Sequence, residues 1–235
     1  MCSNYVSVSS EERLLHFFGV RRADPKQPPE IWPTGLAPFI RKVDGRRVAE
    51  TGHYGLLPSF ATEVTYGRRT YNARSETVHQ LASFRESWRK GWRCVIPAEA
   101  LFEPYYPPEG GKPVRWAITR PGRVPMGVAG IYREWRSPEG ELKFSFAMLT
   151  VNADAHPFYS RFHKPGDEKR MPIVLREDQY DAWLACEVAD APAFFVTHPG
   201  PFDAEPAPLP PRAPRAVSGR TVIPPAAPPE EPGLF

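Results

Sequence analysis

The sequence predicts an α+β fold in which short, mainly antiparallel strands pack with a few helices. Two observations support this prediction. Several β-branched or aromatic runs follow one another in the middle of the chain, and Gly and Pro turns separate them. The helical patterns do not alternate regularly with these runs, as they would in a parallel sheet. With 235 residues, 41% of them hydrophobic, the chain is long enough for one domain with a sizeable core.

Three segments have the pattern of a helix. Ser9 and Thr77 are each followed three residues later by Glu or Gln, which is the spacing of a capping box. Apolar residues then recur near one face, and Gly19 and Gly91 are plausible ends for the first two helices. The predicted helices span 10–18, 78–90 and 177–185.

Five runs have the composition of strands: 94–97, 114–119, 126–132, 144–151 and 172–175. Residues 24–38 are rich in Pro and are predicted to be irregular. The chain changes again after Val196, since twelve of its 30 prolines fall between Pro199 and Pro232. Such a segment cannot bury enough apolar surface to offset its ordering entropy. We therefore predict a domain over 1–198 and a disordered or loosely docked tail over 199–235.

Composition argues against several classes of protein. No apolar run approaches the roughly 18 residues of a membrane span, and the N-terminus lacks the pattern of a secretory signal. We expect a cytoplasmic monomer. Cys2, Cys94 and Cys186 lack the spacing of zinc ligands, so no metal or cofactor is expected. The net charge of +3 is a mild indication of a polyanionic partner.

Cys2 differs from the other two cysteines because of its position. Removal of Met1 would expose a 1,2-aminothiol, whose α-amine has a pKa of about 7.7–8.0 and is partly neutral at pH 7. A neutral amine attacks an aldehyde to give a Schiff base, and the adjacent thiol can then close a five-membered thiazolidine ring. Cys94 and Cys186 are interpreted as small core residues.

Four further residues have side chains suited to a site. Asn72 and Arg74 occur in a polar segment just before the second predicted helix, where an Arg can bind phosphate and an Asn can hydrogen-bond a sugar or orient an amine. Glu103 follows an apolar stretch, and partial desolvation would suit it to general acid–base work. His163 lies in a polar loop and could shuttle protons.

These residues fall within seven short motifs that follow one another along the chain. The motifs are MC at 1–2, YGLLPSFA at 54–61, YNARSET at 71–77, RCVIPAEALFEP at 93–104, LTVNAD at 149–154, FH at 162–163 and RMPIVL at 170–175. Together they resemble the SRAP (SOS response-associated peptidase) family, and the resemblance covers about residues 1–196.

The resemblance implies one domain with a curved, barrel-like sheet and a few flanking helices. It also implies covalent chemistry, in which Cys2 forms a thiazolidine with the ring-opened sugar of an abasic site in single-stranded DNA and so shields the lesion. Asn72 then matches a lesion-sensing residue, Glu103 an acid–base group and His163 a proton shuttle.

The same resemblance implies four DNA contacts. Arg74 matches a phosphate-binding residue and Thr150 a residue that lines the site. Pro33 and Phe60 fall where the family packs apolar side chains against bases, a contact that tolerates any sequence.

The chain departs from the family pattern in four places. Asn4 stands where an Arg is usual, and Tyr54 stands where Trp is common. The segment KPGDEK at 164–169 separates His163 from the RMP motif, and Pro-rich sequence after His198-Pro199 replaces a usual Val-Ser-Val pattern.

Two alternative functions remain open at this stage. Cys2 and His163 could also serve as the nucleophile and base of a thiol peptidase whose substrate is the Met1 peptide bond of the chain itself or a bond in another peptide. A non-catalytic module that binds single-stranded DNA is the third interpretation.

Overall fold

A computed structural model of the chain describes residues 3–21 and 28–210, which contain twelve strands and three α-helices. The strands are β1 (Tyr5–Ser7), β2 (Glu30–Ile31), β3 (Leu36–Val43), β4 (Arg46–Tyr54), β5 (Asn72–Arg74), β6 (Arg93–Tyr105), β7 (Val114–Thr119), β8 (Met126–Arg136), β9 (Leu142–Asn152), β10 (Arg170–Pro172), β11 (Val174–Leu175) and β12 (Asp203–Pro206). The helices are α1 (Glu11–Phe18), α2 (Arg85–Arg89) and α3 (Tyr180–Ala185). Short 3-10 helices occur at Val64–Arg69, Pro121–Arg123, Tyr159–Arg161, Glu177–Gln179 and Ala191–Phe194.

Five of these strands close into a barrel. β8 pairs with both β6 and β9, and β3 and β4 complete the ring between them. β4 and β9 run parallel, whereas the other neighbours in the ring are antiparallel, so the barrel is mixed. The remaining strands lie outside the ring. The predicted α+β class and the barrel-like, mainly antiparallel sheet are confirmed.

All five predicted strand runs form strands. Residues 114–119 coincide with β7, while the runs at 94–97, 126–132 and 144–151 are parts of the longer β6, β8 and β9. The run at 172–175 is divided, since β10 pairs with β9 whereas β11 pairs with β8. The division falls at Ile173, where the chain crosses from one barrel strand to the next.

β3 and β4 form a hairpin that was not predicted. Its turn is Asp44-Gly45, with φ values of 48° and 80°, and positive φ at both residues is the pattern of a type I′ turn. The prediction of irregular structure over 24–38 is therefore wrong at two places, since β2 lies within this range and β3 begins at Leu36. Pro38 lies within β3 and is tolerated there because β3 pairs with β6 only at Ile40, which leaves most of that edge unpaired.

The helix predictions need two corrections. The first helix is confirmed and ends at Gly19, but its cap is Ser10, whose Oγ accepts a hydrogen bond from the backbone N–H of Arg13. The second is helical only at α2, and a series of turns occupies residues 75–80. Among the described residues Thr77 Oγ1 has no hydrogen-bond partner, so the expected cap does not form. The third prediction holds, as a 3-10 turn that continues into α3.

Part of the predicted tail, residues 202–207, packs on the domain. β12 pairs with β7 over four residues, and Phe202 is buried against His156, Phe158 and Tyr159. The domain therefore extends at least to Pro206, beyond the predicted boundary at 198. Pro206 is compatible with β12 because this strand lies at the edge of the sheet. Residues 211–235 lie outside the described part of the chain.

Gly55 joins the end of β4 to the segment that leads to β5. Its φ is +122°, and a Cβ there would lie 2.3 Å from the carbonyl oxygen of Gly67. Gly55→Ala is expected to lower the free energy of unfolding by about 3–5 kcal/mol, because it adds a backbone collision to an unfavourable φ.

Gly45→Ala is the matched control for this variant. Gly45 also has a positive φ, of +80°, but a Cβ there would meet nothing within 4 Å. Gly45→Ala should lower the free energy of unfolding by about 1–2 kcal/mol, because only the positive φ is unfavourable there. Urea unfolding measures both free energies. Equal decreases for the two variants would show that the close approach of Gly55 to Gly67 does not contribute to the cost of Gly55→Ala.

Within residues 3–21 and 28–210, none of the helices has the length and apolar character that crossing a bilayer requires.

Candidate active site

Glu103 lies near the end of β6, beyond the part of the strand that pairs within the barrel. It stands opposite Trp116 of β7 and is 1% exposed. An apolar strand carries it into the interior, since Leu101 and Phe102, which precede it, are buried as well. A carboxylate at such a depth needs a charged or hydrogen-bonding partner.

His163 is a partner of this carboxylate. Its Nε2 lies 2.9 Å from Oε2 of Glu103, and the His163 residue is 7% exposed. The backbone N–H of His163 donates a 2.8 Å hydrogen bond to the carbonyl oxygen of Pro104, so β6 positions both members of the pair. His163 has a φ of 66°, a left-handed conformation that is uncommon outside Gly and often marks functional sites.

The Glu103–His163 pair is suited to moving a proton. A carboxylate and an imidazole at hydrogen-bonding distance can pass a proton between them, and burial excludes competing water. The pair was predicted as two separate candidates, and the structure brings them together. Sequence spacing alone did not indicate their contact, because sixty residues separate them.

The start of the chain approaches this pair along β6. Tyr5 of β1 pairs with Leu101, and the carbonyl oxygen of Asn4 accepts a hydrogen bond from the N–H of Phe102. Because the pairing is antiparallel, each step toward the N-terminus moves toward Glu103. Cys2, the predicted nucleophile, lies outside the described residues, which begin at Ser3.

Asn4, at the position where the resemblance implies an Arg, is held inside the protein. It is 2% exposed, and its Nδ2 donates a 2.6 Å hydrogen bond to Oε1 of Glu30. The same oxygen accepts a hydrogen bond from Arg115. Asn4 therefore holds a structural contact and does not offer its side chain to a phosphate.

Asn72 and Arg74 lie on β5, which pairs in parallel with β9. Asn72 stands opposite Met148, and Arg74 stands opposite Thr150. The expectation of a loop at a helix N-terminus is wrong, since β5 is a strand and α2 begins only at Arg85. The polar sequence forms a strand because its central residue, Ala73, is buried against the sheet while Arg74 is exposed.

Arg74 belongs to a cluster of charges that includes the loop after His163. Nη1 of Arg74 lies 2.8 Å from Oε2 of Glu168. Oε1 of Glu168 accepts hydrogen bonds from Arg170, at 2.8 Å, and from the side-chain amide of Asn152, at 3.2 Å. The hydrogen bond from Arg170 holds the pKa of Glu168 below its ordinary value. Arg170 also binds both carboxylate oxygens of Glu76.

Thr150 is 1% exposed, and the contacts of its oxygen atoms are with the protein. Arg170 donates hydrogen bonds to its carbonyl oxygen at 2.7 Å and to its Oγ1 at 3.2 Å. Its carbonyl also accepts from the N–H of Ser75. Glu168 and Arg170 were not among the predicted site residues. The only signal for them was the charged EKR sequence next to the RMP motif, and its pairing with β5 depends on the fold.

The two predicted base-packing residues lie at the surface. Phe60 is 54% exposed, and its ring meets Tyr66 edge-on at 5.6 Å. Pro33 is half-buried in the turn between β2 and β3, next to the exposed Trp32, which the sequence did not single out. Tyr54 is fully buried against Tyr5 and so does not belong to this surface.

The remaining cysteines do not form a second reactive centre. Burial raises the pKa of Cys94 well above its ordinary value, and burial also raises that of Cys186. Both are therefore thiols at neutral pH, and a thiol is a poor nucleophile. Among the described residues no three His, Cys, Asp or Glu side chains are grouped so that they could hold a metal ion.

The fold and the site define a small mixed-barrel protein with a buried carboxylate–imidazole pair and arginine and aromatic side chains at the surface. The family model described as SOS response associated peptidase (SRAP) matches residues 1–204, and the chain belongs to this family.

Curated relatives and solved structures agree with this assignment. The abasic site processing protein YoqW of Bacillus subtilis is 28% identical over 213 residues, which are 87% of this chain and 89% of YoqW. The abasic site processing protein HMCES of mouse is 30% identical over 62% of this chain but only 48% of its own length. A crystal structure from Bordetella bronchiseptica superposes with a TM-score of 0.82 at 35% identity, covering 88% of this chain and all of that one. A structure from Bacteroides thetaiotaomicron, 20% identical, shares the fold with a TM-score of 0.71 over 86% of this chain and 90% of its own.

Proposed function

We propose that this protein recognises abasic sites in single-stranded DNA and bonds to them covalently through the α-amine and thiol of Cys2. The curated relatives are named abasic site processing proteins, which supports the substrate. The observation that carries the proposal is the buried Glu103–His163 pair at the end of β6, along which the N-terminal strand runs.

After hydrolysis has removed Met1, the reaction takes four steps and releases one water. The abasic sugar opens to its aldehyde, and the neutral amine of Cys2 adds to C1′ to give a carbinolamine. Loss of water, with a proton supplied to the leaving oxygen, leaves a protonated imine. The thiolate then adds to the imine carbon and closes the thiazolidine, and the nitrogen retains the proton.

Glu103 and His163 supply the proton transfers in this scheme. Glu103 protonates the leaving oxygen of the carbinolamine and takes the proton from the thiol. His163 donates a proton to the ring oxygen of the sugar as the C1′–O4′ bond breaks, and the C1′ hydroxyl loses its proton to become the aldehyde. The contact between Nε2 and Oε2 lets one group reload the other between steps.

Other side chains hold the strand. Arg74 binds a phosphate, and its side chain is 47% exposed, so DNA can reach it. Asn72 orients the amine or the sugar. Phe60 and Pro33 pack against bases next to the lesion, and Thr150 contributes by holding Arg170, which shares Glu168 with Arg74. In duplex DNA the abasic nucleotide would have to be extruded from the helix, which costs a few kcal/mol, so a single strand is the favoured substrate.

Intact-mass spectrometry with an abasic single-stranded oligonucleotide tests the function. The expected product has the mass of the protein without Met1 plus that of the oligonucleotide, less one water. The same strand without the lesion is the control and should give no adduct. Reversible binding alone would refute the covalent proposal, and peptide cleavage in trans without an adduct would favour a thiol peptidase.

Arg74 and Asn72 should affect different steps. Arg74→Ala is expected to weaken noncovalent binding to undamaged single strands and to reduce the slope of log K against log salt by about one phosphate contact. Asn72→Ala is expected to slow the covalent step while the salt slope stays that of the wild type. Fluorescence anisotropy over a salt series measures the salt slopes of the two variants, and the rate of adduct formation measures the covalent step. If the two variants gave the same slope, this division of roles would be wrong.

A further inference from the structure

Glu168 occupies a position where three donors converge on one carboxylate. Arg74 and Arg170 each place a guanidinium nitrogen 2.8 Å from a Glu168 oxygen, and Asn152 adds an amide N–H at 3.2 Å. Two guanidinium groups and an amide around an oxyanion form the kind of donor set that binds phosphate. In this structure the chain's own carboxylate fills it.

The loop that carries Glu168 is held at both ends. The backbone N–H of Lys169 donates to Oδ1 of Asp154 at 2.8 Å, and Nζ of Lys169 donates to the carbonyl oxygens of His163 and Lys164. These hydrogen bonds fix the backbone next to Glu168 and so position its side chain beside Arg74. The loop connects the proposed proton shuttle directly to the charge cluster.

The contact between Glu168 and Arg74 can nevertheless exchange with an external anion. The side chains of Arg74 and Glu168 are 47% and 34% exposed, whereas Arg170 is almost fully buried and keeps Glu76 as a second partner. A solvent-accessible ion pair is weak, since its median stabilisation is about 0–1 kcal/mol. A DNA phosphate could thus take Arg74 from Glu168 without leaving Arg170 unpaired.

We propose that Glu168 is an internal competitor of DNA phosphate for Arg74, so that the loop 164–169 sets how tightly a strand is held before the covalent step. This inference rests on the proposed function in one respect, that Arg74 contacts DNA. The competition weakens binding to every strand equally, because phosphates carry no sequence. Retention of damaged strands then depends more on the covalent step than on charge.

The test is a double-mutant cycle on affinity for an undamaged single strand, which cannot form an adduct. Glu168→Gln keeps the size of the side chain and removes its charge, and it should tighten binding by about two- to five-fold. In an Arg74→Ala background the same substitution should give little or no gain. Crosslinking to abasic DNA is measured separately, so failure of the covalent function is distinguishable from failure of this inference.

Glu76→Gln is the matched control, because Glu76 shares Arg170 with Glu168. Among the described residues Glu76 has no ion pair with Arg74. The gain in affinity for the undamaged strand should be clearly smaller for Glu76→Gln than for Glu168→Gln. Glu168→Asp keeps the charge but shortens the side chain, which weakens the contact with Arg74, so it should give part of the gain in affinity. It also provides a second variant should Glu168→Gln unfold.

Three results would overturn the inference. Equal gains for Glu168→Gln and Glu76→Gln would indicate a general effect of charge. A gain that persists without Arg74 would place the competition elsewhere. Weaker binding by a folded Glu168→Gln protein would show that Glu168 orders Arg74 for DNA and does not compete with it.

Discussion

Glu103→Gln is expected to slow adduct formation with abasic single-stranded DNA by about 10²- to 10⁴-fold, the range that general acid–base groups contribute. Gln has the size of Glu but can neither hold nor release a proton at neutral pH. Its side chain can still place an oxygen 2.9 Å from Nε2 of His163, so the packing of the site should survive. Binding to an undamaged strand should be unchanged, because Glu103 is too deeply buried to touch a phosphate.

The measurement is the single-turnover rate of adduct formation with protein in excess. Glu99→Gln is the control, since Glu99 lies on the same strand and pairs with Arg13, away from His163. It should react at the wild-type rate. His163→Ala should slow the reaction as well, mainly at the step that opens the sugar. Wild-type rates in both Glu103→Gln and His163→Ala would remove the pair from the mechanism.

Cys2→Ala is expected to abolish the heat-stable adduct altogether. The variant keeps an α-amine, so a Schiff base can still form, but no thiol is present to close the ring. Cys2→Ser should behave similarly, because a serine hydroxyl supplies far less nucleophile at pH 7 than a thiol does. Borohydride reduction should trap the imine in both variants.

Denaturing gels before and after reduction separate these outcomes. Cys94→Ala and Cys186→Ala serve as controls and should crosslink normally, since burial keeps both thiols protonated. Cys94→Ala carries a packing cost in the core, which thermal unfolding reports. A stable adduct with Cys2→Ala that survives heat without reduction would contradict the proposed ring.

Much of the fold was predictable from local chemistry. Strands such as β7 follow from β-branched and aromatic runs between turns, and α1 follows from a serine cap and Gly19. The hairpin of β3 and β4 had a readable signal too, the Asp44-Gly45 dipeptide, but the prolines before it favoured an irregular segment. Local patterns succeed where neighbours in sequence decide the structure.

The site was predictable only as a set of separate residues. Family motifs indicated Glu103 and His163, but their 2.9 Å contact depends on a β6 carbonyl that fixes the loop backbone. The ion pair of Arg74 with Glu168 depends on β5 adding to β9 in parallel, a pairing between segments almost 80 residues apart that no local pattern specifies. The second predicted helix begins only at Arg85, and the Thr77 cap that indicated an earlier start does not form among the described residues.

The aminothiol is the central claim, and a variant with one Ala inserted between Met1 and Cys2 tests it most directly. After removal of Met1 this protein carries the same thiol, but the free amine belongs to the preceding Ala, so the five-membered ring cannot close. The measurement is intact mass after incubation with abasic single-stranded DNA and heating. We expect unmodified protein for the variant and a quantitative adduct, less one water, for the wild type. A heat-stable adduct of the inserted variant would contradict it and show that Cys2 acts as an ordinary thiol.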